Sequence, residues 1–127
     1  MVNLSQMRIP QLERILDSEV SQYVRRLYSV HGWCQCYTCG LWLTTQEATC
    51  GHFILRRHRG TRWNLNNLRV QCLVCQGNEG EAVKFEARLT AEIGAAAVAE
   101  LMALKHLTMK HPRAWFIAEI EKYRGMA

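Results

Sequence analysis

The chain has 127 residues, of which 49% are hydrophobic, and a net charge of +5 at pH 7. This length suits one domain that buries its own core, and no apolar run approaches the roughly 18 residues of a membrane span. The N-terminal MVNLSQMRIP lacks the charged and apolar regions of a secretory signal. We therefore expect a cytoplasmic protein without a membrane partner, whose reduced cysteines are available to metals.

The apolar spacing divides the chain into an N-terminal helix, a mixed centre and a helical tail. Apolar residues at a repeating three–four spacing predict an amphipathic helix over residues 11–31. The helical spacing returns in a tail over residues 79–125, with one helix ending at Gly94 and the last beginning at Pro112. Together these segments predict one α+β domain over residues 1–127.

The centre, residues 33–78, consists of short β-prone segments. LWLTT (41–45) and ATCGHFI (48–54) are separated by two polar residues, which predicts a β-hairpin. After a loop rich in Arg and Gly, NLRVQC (67–72) predicts one more strand.

Four of the six cysteines form two C-x-x-C pairs, CYTC and CLVC, with 32 residues between them. Each pair can offer two thiolates to one Zn²⁺, and two pairs complete a closed tetrahedral site. A redox pair and unmetallated thiols are the alternatives, but neither pair lies in a βαβ context typical of thioredoxin-like proteins. We therefore predict a structural zinc and two free thiols. The predicted ligands are Cys36, Cys39, Cys72 and Cys75; Cys34 and Cys50 are left over.

Residues 50–76, CGHFILRRHRGTRWNLNNLRVQCLVCQ, contain two histidines and five arginines but no carboxylate. Because a solvated surface usually mixes both signs of charge, this segment predicts contact with a polyanion. Arginine side chains can hold phosphates on both sides of a scissile bond and give salt-dependent binding. The candidate DNA-binding residues are Arg56, Arg57, Arg59, Arg62 and Arg69.

The histidine of CGHF, an Asn-Leu pair fifteen residues later and the following C-x-x-C resemble the HNH, or ββα-metal, nuclease motif. The successive blocks YVRRLY, CYTCG, CGHF and TRWNLNNLRVQCLVC resemble the NinG (Rap) recombination proteins of lambdoid phages, as do the later FEARLTAEIG and AEIEKYRG. The resemblance covers about residues 20–125. It implies a small HNH-like centre stapled by zinc, with an N-terminal helix and C-terminal helices around it.

The resemblance also implies roles for two side chains. His52 matches the motif histidine that activates water against a phosphodiester, and Asn67 matches the asparagine that pins the loop and orients that histidine. The chemistry of these side chains agrees, since a neutral imidazole can act as a base near pH 7. An asparagine amide can lock a loop through up to about four hydrogen bonds.

Two departures from the HNH pattern concern the catalytic metal. Gly51 precedes His52, where many HNH nucleases carry aspartate, and Gln76 follows the last cysteine, where a metal-binding His or Asn usually stands. Mg²⁺ prefers carboxylate oxygen, whereas Mn²⁺ or Zn²⁺ can accept imidazole and amide ligands. We predict Mg²⁺ or Mn²⁺ as the catalytic ion. The ligands considered are Gln76 and His58, with Asn78 and Glu79 as further candidates.

These residues and the resemblance predict a metal-dependent HNH-type endonuclease, a phosphodiester hydrolase that acts on branched DNA recombination intermediates of a phage in the host cytoplasm. The alternative is a catalytically inactive, zinc-stabilised DNA-binding module. A third hypothesis, a zinc adaptor between proteins, leaves the arginines unexplained. Because paired cuts in a junction need two active sites, a homodimer is a further hypothesis.

Overall fold

The computed structural model describes residues 3–78 and 81–126, and within them the chain forms five α-helices and two two-stranded antiparallel sheets. The predicted α+β fold class is confirmed. In chain order the elements are α1 (Ile9–Leu27), β1 (Trp33–Gln35), β2 (Trp42–Thr44), β3 (Thr49–His52), β4 (Leu68–Gln71), α2 (Leu73–Gln76), α3 (Ala82–Ile93), α4 (Ala95–Lys105) and α5 (Arg113–Gly125).

Helix α1 follows the predicted spacing but is shorter at its C-terminal end. Its apolar stripe is buried and packs against α5 within one core. It ends at Leu27 and not at residue 31 as predicted, because Tyr28 leaves the helical region with φ of −97° and ψ of 8°. His31 and Gly32 then adopt the left-handed backbone region, with φ of 52° and 81°. Val30 then forms a β-bridge with Trp33, which turns the chain into β1. The stripe consists of Leu12, Leu16, Val20 and Val24.

The predicted hairpin between residues 41–45 and 48–54 is wrong. Strand β2 pairs with the preceding strand β1, where Cys34 lies opposite Leu43. Strand β3 pairs with the following strand β4, where Cys50 lies opposite Val70. Both opposed pairs are buried, so each pairing covers an apolar face that a β2–β3 hairpin would leave exposed. The strand predicted over residues 67–72 is confirmed as β4.

Strands β3 and β4 and helix α2 form one continuous β–β–α unit. A loop of residues 53–67 connects the strands, and its last three residues form a 3₁₀ turn. Helix α2 begins directly after β4, because the Cys72 thiol caps it by accepting from the backbone N–H of Cys75 at 3.4 Å. This unit carries the histidine, the asparagine and the second cysteine pair.

The helical tail follows the sequence prediction closely. Helix α3 ends before Gly94, whose φ of 93° allows the chain to reverse into α4, and α5 begins after Pro112. Helices α3 and α4 enclose a second small core with Ile54 from the loop. None of the helices in the described part of the chain is both long and apolar enough to cross a membrane.

Candidate functional site

The four cysteines of the two C-x-x-C pairs meet in one cluster. Their Sγ atoms all lie within 4.8 Å of one another, and those of Cys39 and Cys72 are 3.8 Å apart. Four thiolates around a tetrahedral Zn²⁺, each bonded at about 2.3 Å, are separated by about 3.8 Å. Three of the four residues are buried, as suits a closed structural site. The cluster can therefore hold a structural metal such as zinc.

The thiols inside and outside the cluster have different environments. Burial raises the pKa of the Cys36 thiol, but hydrogen bonds from backbone groups of Cys39 and Cys72 outweigh it and lower the pKa to about 6. Thiolate is the form that binds metal. Cys34 and Cys50 are buried outside the cluster, and burial raises the pKa of Cys50 to about 12. Within the cluster the thiols differ: a hydrogen bond with Thr38 lowers the pKa of Cys75, but burial and the neighbouring cluster thiols outweigh it and raise that pKa to about 12. The pKa of Cys36 is the one that favours thiolate, so the geometry of the four Sγ atoms carries the metal assignment.

Asn67 is fully buried and ties the two ends of the 53–67 loop together. Its Oδ1 accepts from the backbone N–H of Ile54 at 2.7 Å. Its Nδ2 donates to the backbone carbonyls of Ile54 at 3.0 Å and Thr61 at 3.2 Å. The side chain therefore joins the two ends of the loop from inside.

His52 is the last residue of β3 and lies opposite Leu68. Its Nε2 is 3.1 Å from the backbone carbonyl oxygen of Arg62. Because a carbonyl can only accept, Nε2 carries the proton and the neutral ring has its basic lone pair on Nδ1. Burial lowers the pKa of His52, and this effect outweighs the raising influence of the Arg62 carbonyl and of Asp17. Burial therefore favours the neutral imidazole, whose ring also has a backbone hydrogen bond with Cys50 that raises its pKa.

A cleft of about 610 Å³ opens beside His52. Gln76, at the end of α2, also lines it, whereas His58 does not; the charged neighbours of His58 are Arg57, Lys105 and His106. Within the described residues, the four cysteines are the sole group of three or more His, Cys, Asp or Glu side chains close enough to share an ion. Glu79 lies outside the described residues. The structure thus brings Gln76, but not His58, to His52.

The side chain of Gln71 explains why position 51 is a glycine. A Cβ at this position would be 2.0 Å from Oε1 of Gln71, whose side chain is buried and donates from Nε2 to Thr38 Oγ1 at 3.1 Å. An aspartate at position 51 would have to displace this packed side chain. The carboxylate that many HNH nucleases carry before the histidine is therefore replaced here by a contact that links the site to the cysteine cluster.

The arginines of the 50–76 segment separate into two groups. Arg62 and Arg69 have side chains only 11% and 4% exposed, and each is paired with carboxylates from outside the segment. Their placement therefore corrects the expectation that all five arginines face DNA. Arg56 and Arg59 pair with Asp17 and Glu13 but remain 63% and 51% exposed, and Arg57 is exposed. The segment lacks carboxylates in sequence, but α1 and α3 supply them in space.

Comparison with models of protein families finds a match that covers most of the chain. The family model described as bacteriophage lambda NinG protein matches residues 9–127, nearly the whole chain. The chain belongs to the NinG family. No curated protein and no solved structure matches it. The family connects the chain with phages but specifies no reaction, so any reaction has to be inferred from the geometry of the site.

In this member of the NinG family, Asp17 is a site residue that the sequence patterns did not indicate. Its Oδ1 accepts from Arg62 Nε at 3.0 Å and from Trp63 Nε1 at 2.9 Å, and its Oδ2 accepts from Arg62 Nη2. It therefore fixes the residue whose carbonyl holds His52. The available signal was the four-residue spacing of Glu13 and Asp17, which places both carboxylates on one face of α1.

Proposed function

We propose that this protein is a metal-dependent HNH-type DNA endonuclease that acts on branched DNA in phage recombination. One observation carries the proposal: His52 lies at the end of β3 in an open cleft, with Nε2 held by the Arg62 carbonyl and the loop behind it closed by Asn67. The order β3–β4–α2 around it agrees with a ββα-metal unit. Phage recombination and branched DNA rest on the NinG family and on the resemblance described above.

The proposed chemistry begins with His52 as a general base. Its Nδ1 takes a proton from a water molecule, and the water oxygen forms a bond to the phosphorus of a phosphodiester in the cleft. The bond from phosphorus to one sugar oxygen breaks as the new bond forms, and the leaving oxygen takes a proton from solvent. A neutral ring with its proton on Nε2 is the state this step needs. Asn67 has no contact with the substrate in this mechanism; it keeps the loop that carries the Arg62 carbonyl in place. The zinc cluster has a closed ligand set and acts through the fold alone.

The cleft offers few ligands for a divalent cation. Gln76 contributes an amide and Asp17 a carboxylate, but Asp17 already accepts hydrogen bonds from Arg62 and Trp63. Mg²⁺ in phosphoryl-transfer sites commonly keeps several waters and takes one or two carboxylates plus substrate phosphate. In the proposed enzyme Gln76 would hold Mg²⁺ or Mn²⁺ together with waters and the phosphodiester, because both oxygens of Asp17 already accept hydrogen bonds from arginine side chains. The ion would supply charge stabilisation at the phosphate oxygens.

A nicking assay tests the proposal with a labelled four-way junction and a matched linear duplex, in Mg²⁺ and in Mn²⁺. His52→Ala should lower the cleavage rate by about 10²- to 10⁴-fold while zinc content and the melting temperature stay close to wild type. His58→Ala is the matched control, because this histidine lies outside the cleft. Cleavage that survives in His52→Ala would refute His52 as the base.

The pH dependence of cleavage adds a second readout. A general base must be deprotonated, so the rate falls as the pH drops through the pKa of His52. Burial lowers that pKa from its ordinary value of 6.5. Wild-type cleavage should therefore persist to below pH 6.5 before it falls. A rate that already falls well above that value would indicate a different base.

The alternative function is DNA binding without cleavage. It is favoured by Gly51, which takes the place of a common metal-binding aspartate, and by the lack of a second cluster of metal-binding side chains among the described residues. The same assay separates the two functions. Tight binding without nicking in either metal would support the binding module.

A further inference from the structure

A second group of positive charges lies beside the arginine loop and comes from a distant part of the chain. The loop of residues 55–61 packs against the C-terminal end of α4: a Cβ on Gly60 would be 2.4 Å from the backbone carbonyl oxygen of Leu104. Only glycine permits this close approach. The contact brings Arg57 and His58 next to Lys105 and His106.

The charges in this group influence one another. Partial burial and the neighbouring Arg57, Lys105 and His106 all lower the pKa of His58, so these side chains lie within electrostatic range of it. Further along the connection between α4 and α5, Lys110 lines a hollow of about 300 Å³ together with Arg59 and Glu13. Two segments separated by about forty residues thus contribute to one positive surface.

The arginines that face α1 have carboxylate partners, whereas within the described part of the chain the basic residues beside α4 do not. Glu13 and Asp17 neutralise Arg62 fully and Arg59 and Arg56 in part. In contrast, Arg57, Lys105 and Lys110 form no ion pair within residues 3–78 and 81–126. Like charges that a fold holds together without a counter-charge repel one another, and a bound polyanion relieves that repulsion. This surface can therefore bind an anionic partner, whereas the charges of the buried Arg62 and Arg69 are already paired with carboxylates.

We propose that Arg57, Lys105 and Lys110 form a phosphate-binding surface that extends the DNA path from the His52 cleft across the 55–61 loop to the α4–α5 connection. The inference rests on DNA as the partner in the proposed function. Arg56, which lines the cleft and precedes Arg57, connects the two parts of the path. The chemistry recognised is the sugar–phosphate backbone, so the surface contributes affinity and no sequence preference.

The test compares two double variants that remove equal charge from different surfaces. Lys105→Gln/Lys110→Gln removes two charges of the proposed surface. The matched control is Arg26→Gln/Arg88→Gln, which removes two exposed arginines of α1 and α3 that form no ion pair in the described part of the chain. Binding to a labelled four-way junction and to a linear duplex is followed by fluorescence anisotropy without added divalent cation, over a series of salt concentrations.

At about 100 mM salt the lysine variant should bind roughly 10- to 100-fold more weakly than wild type, and the slope of log affinity against log salt should fall by about two. The control should keep both the affinity and the slope close to wild type. Thermal melts of all three proteins verify that each is folded. Arg57→Gln should weaken binding in the same direction, with a slope lowered by about one.

The outcomes separate this inference from the proposed function. If the lysine variant binds as the control does, the surface is refuted, whether or not the wild type cleaves DNA. If the lysine variant loses affinity but the wild type never nicks in Mg²⁺ or Mn²⁺, the surface stands and the endonuclease is refuted. Wild type that fails to bind either DNA at low salt would overturn both.

Discussion

The cysteine cluster and the His52 cleft share the β3–β4–α2 unit but are built in different ways. The cluster takes Cys36 and Cys39 from the β1–β2 connection and Cys72 and Cys75 from α2 and its N-cap, but the C-x-x-C spacing marks all four in the sequence. The cleft needs β3, a loop pinned by Asn67, the end of α2 and, from outside the unit, Asp17 of α1. A metal-binding fold can therefore be read from short motifs, whereas the site it supports depends on tertiary contacts.

The largest effect should come from the cluster. Cys72→Ser removes one metal ligand but keeps an N-cap for α2, because serine is itself a preferred N-cap. We expect the protein to lose zinc and to be unfolded at 25 °C. Structural zinc contributes about 10–16 kcal/mol of apparent binding free energy, which matches or exceeds the 5–15 kcal/mol stability of a typical domain. Thermal melts and metal analysis measure both effects.

Cys50→Ala is the control for that experiment, because this cysteine is equally buried but lies outside the cluster. It should cost only about 1–2 kcal/mol of unfolding free energy and leave the zinc content unchanged. Equal losses in the two variants would mean that the cluster has no special role in stability.

An intermediate effect should come from the pinned loop. Asn67→Ala leaves the N–H and carbonyl of Ile54 without their partner, and each unmet buried group costs about 1–3 kcal/mol. The carbonyl of Thr61 loses one hydrogen bond but keeps the one from the Asn64 N–H. We expect a loss of roughly 3 kcal/mol in unfolding free energy with zinc retained. Denaturant titration measures it. The adjacent, exposed Asn66→Ala should change stability by less than about 0.5 kcal/mol, and a similar loss in both variants would contradict the pinning role.

The difference between features marked by short motifs and features set by tertiary contacts explains what the sequence could and could not predict. The cysteine ligands, strand β4 and the helices of the tail follow from spacing and from Gly94 and Pro112, which act locally. The hairpin prediction failed because the competing partner, WCQ of β1, has too short an apolar pattern to be recognised as a strand. Pairing was decided by which apolar faces could be buried together, and that is a property of the whole core.

The arginine segment shows a second limit of sequence patterns. Five arginines without a carboxylate suggested a single surface for phosphate, but Arg69 is buried against Glu92, with Nε 3.1 Å from the carboxylate. It also donates to the backbone carbonyls of Leu65 and Leu68. The charge composition of a segment does not give the local charge in the folded protein, because carboxylates of α1 and α3 pack against arginines of this segment. For the same reason the arginine pattern of residues 50–76 did not indicate Lys105, which lies far from it in sequence.

The smallest and most specific effect should come from Asp17, which joins α1 to the cleft. Asp17→Asn keeps the size of the side chain but weakens its hydrogen bonds with Arg62, the residue whose carbonyl holds His52. We expect a loss of about 1–2 kcal/mol in unfolding free energy and a fall of roughly tenfold in kcat. Glu19→Gln is the control, since it removes the same charge from α1 at an ion pair with Arg124.

The pH profile distinguishes positioning from mere stability. The negative charge of Asp17 raises the pKa of His52 against the larger opposing effect of burial, so the Asn variant should shift the acidic limb of the cleavage profile to lower pH. A structural defect alone would lower the melting temperature and leave that limb in place. If Asp17→Asn and Glu19→Gln give the same profile, the cleft needs only β3, the loop and α2, and its contrast with the cysteine cluster, whose ligands are marked by short motifs, becomes smaller.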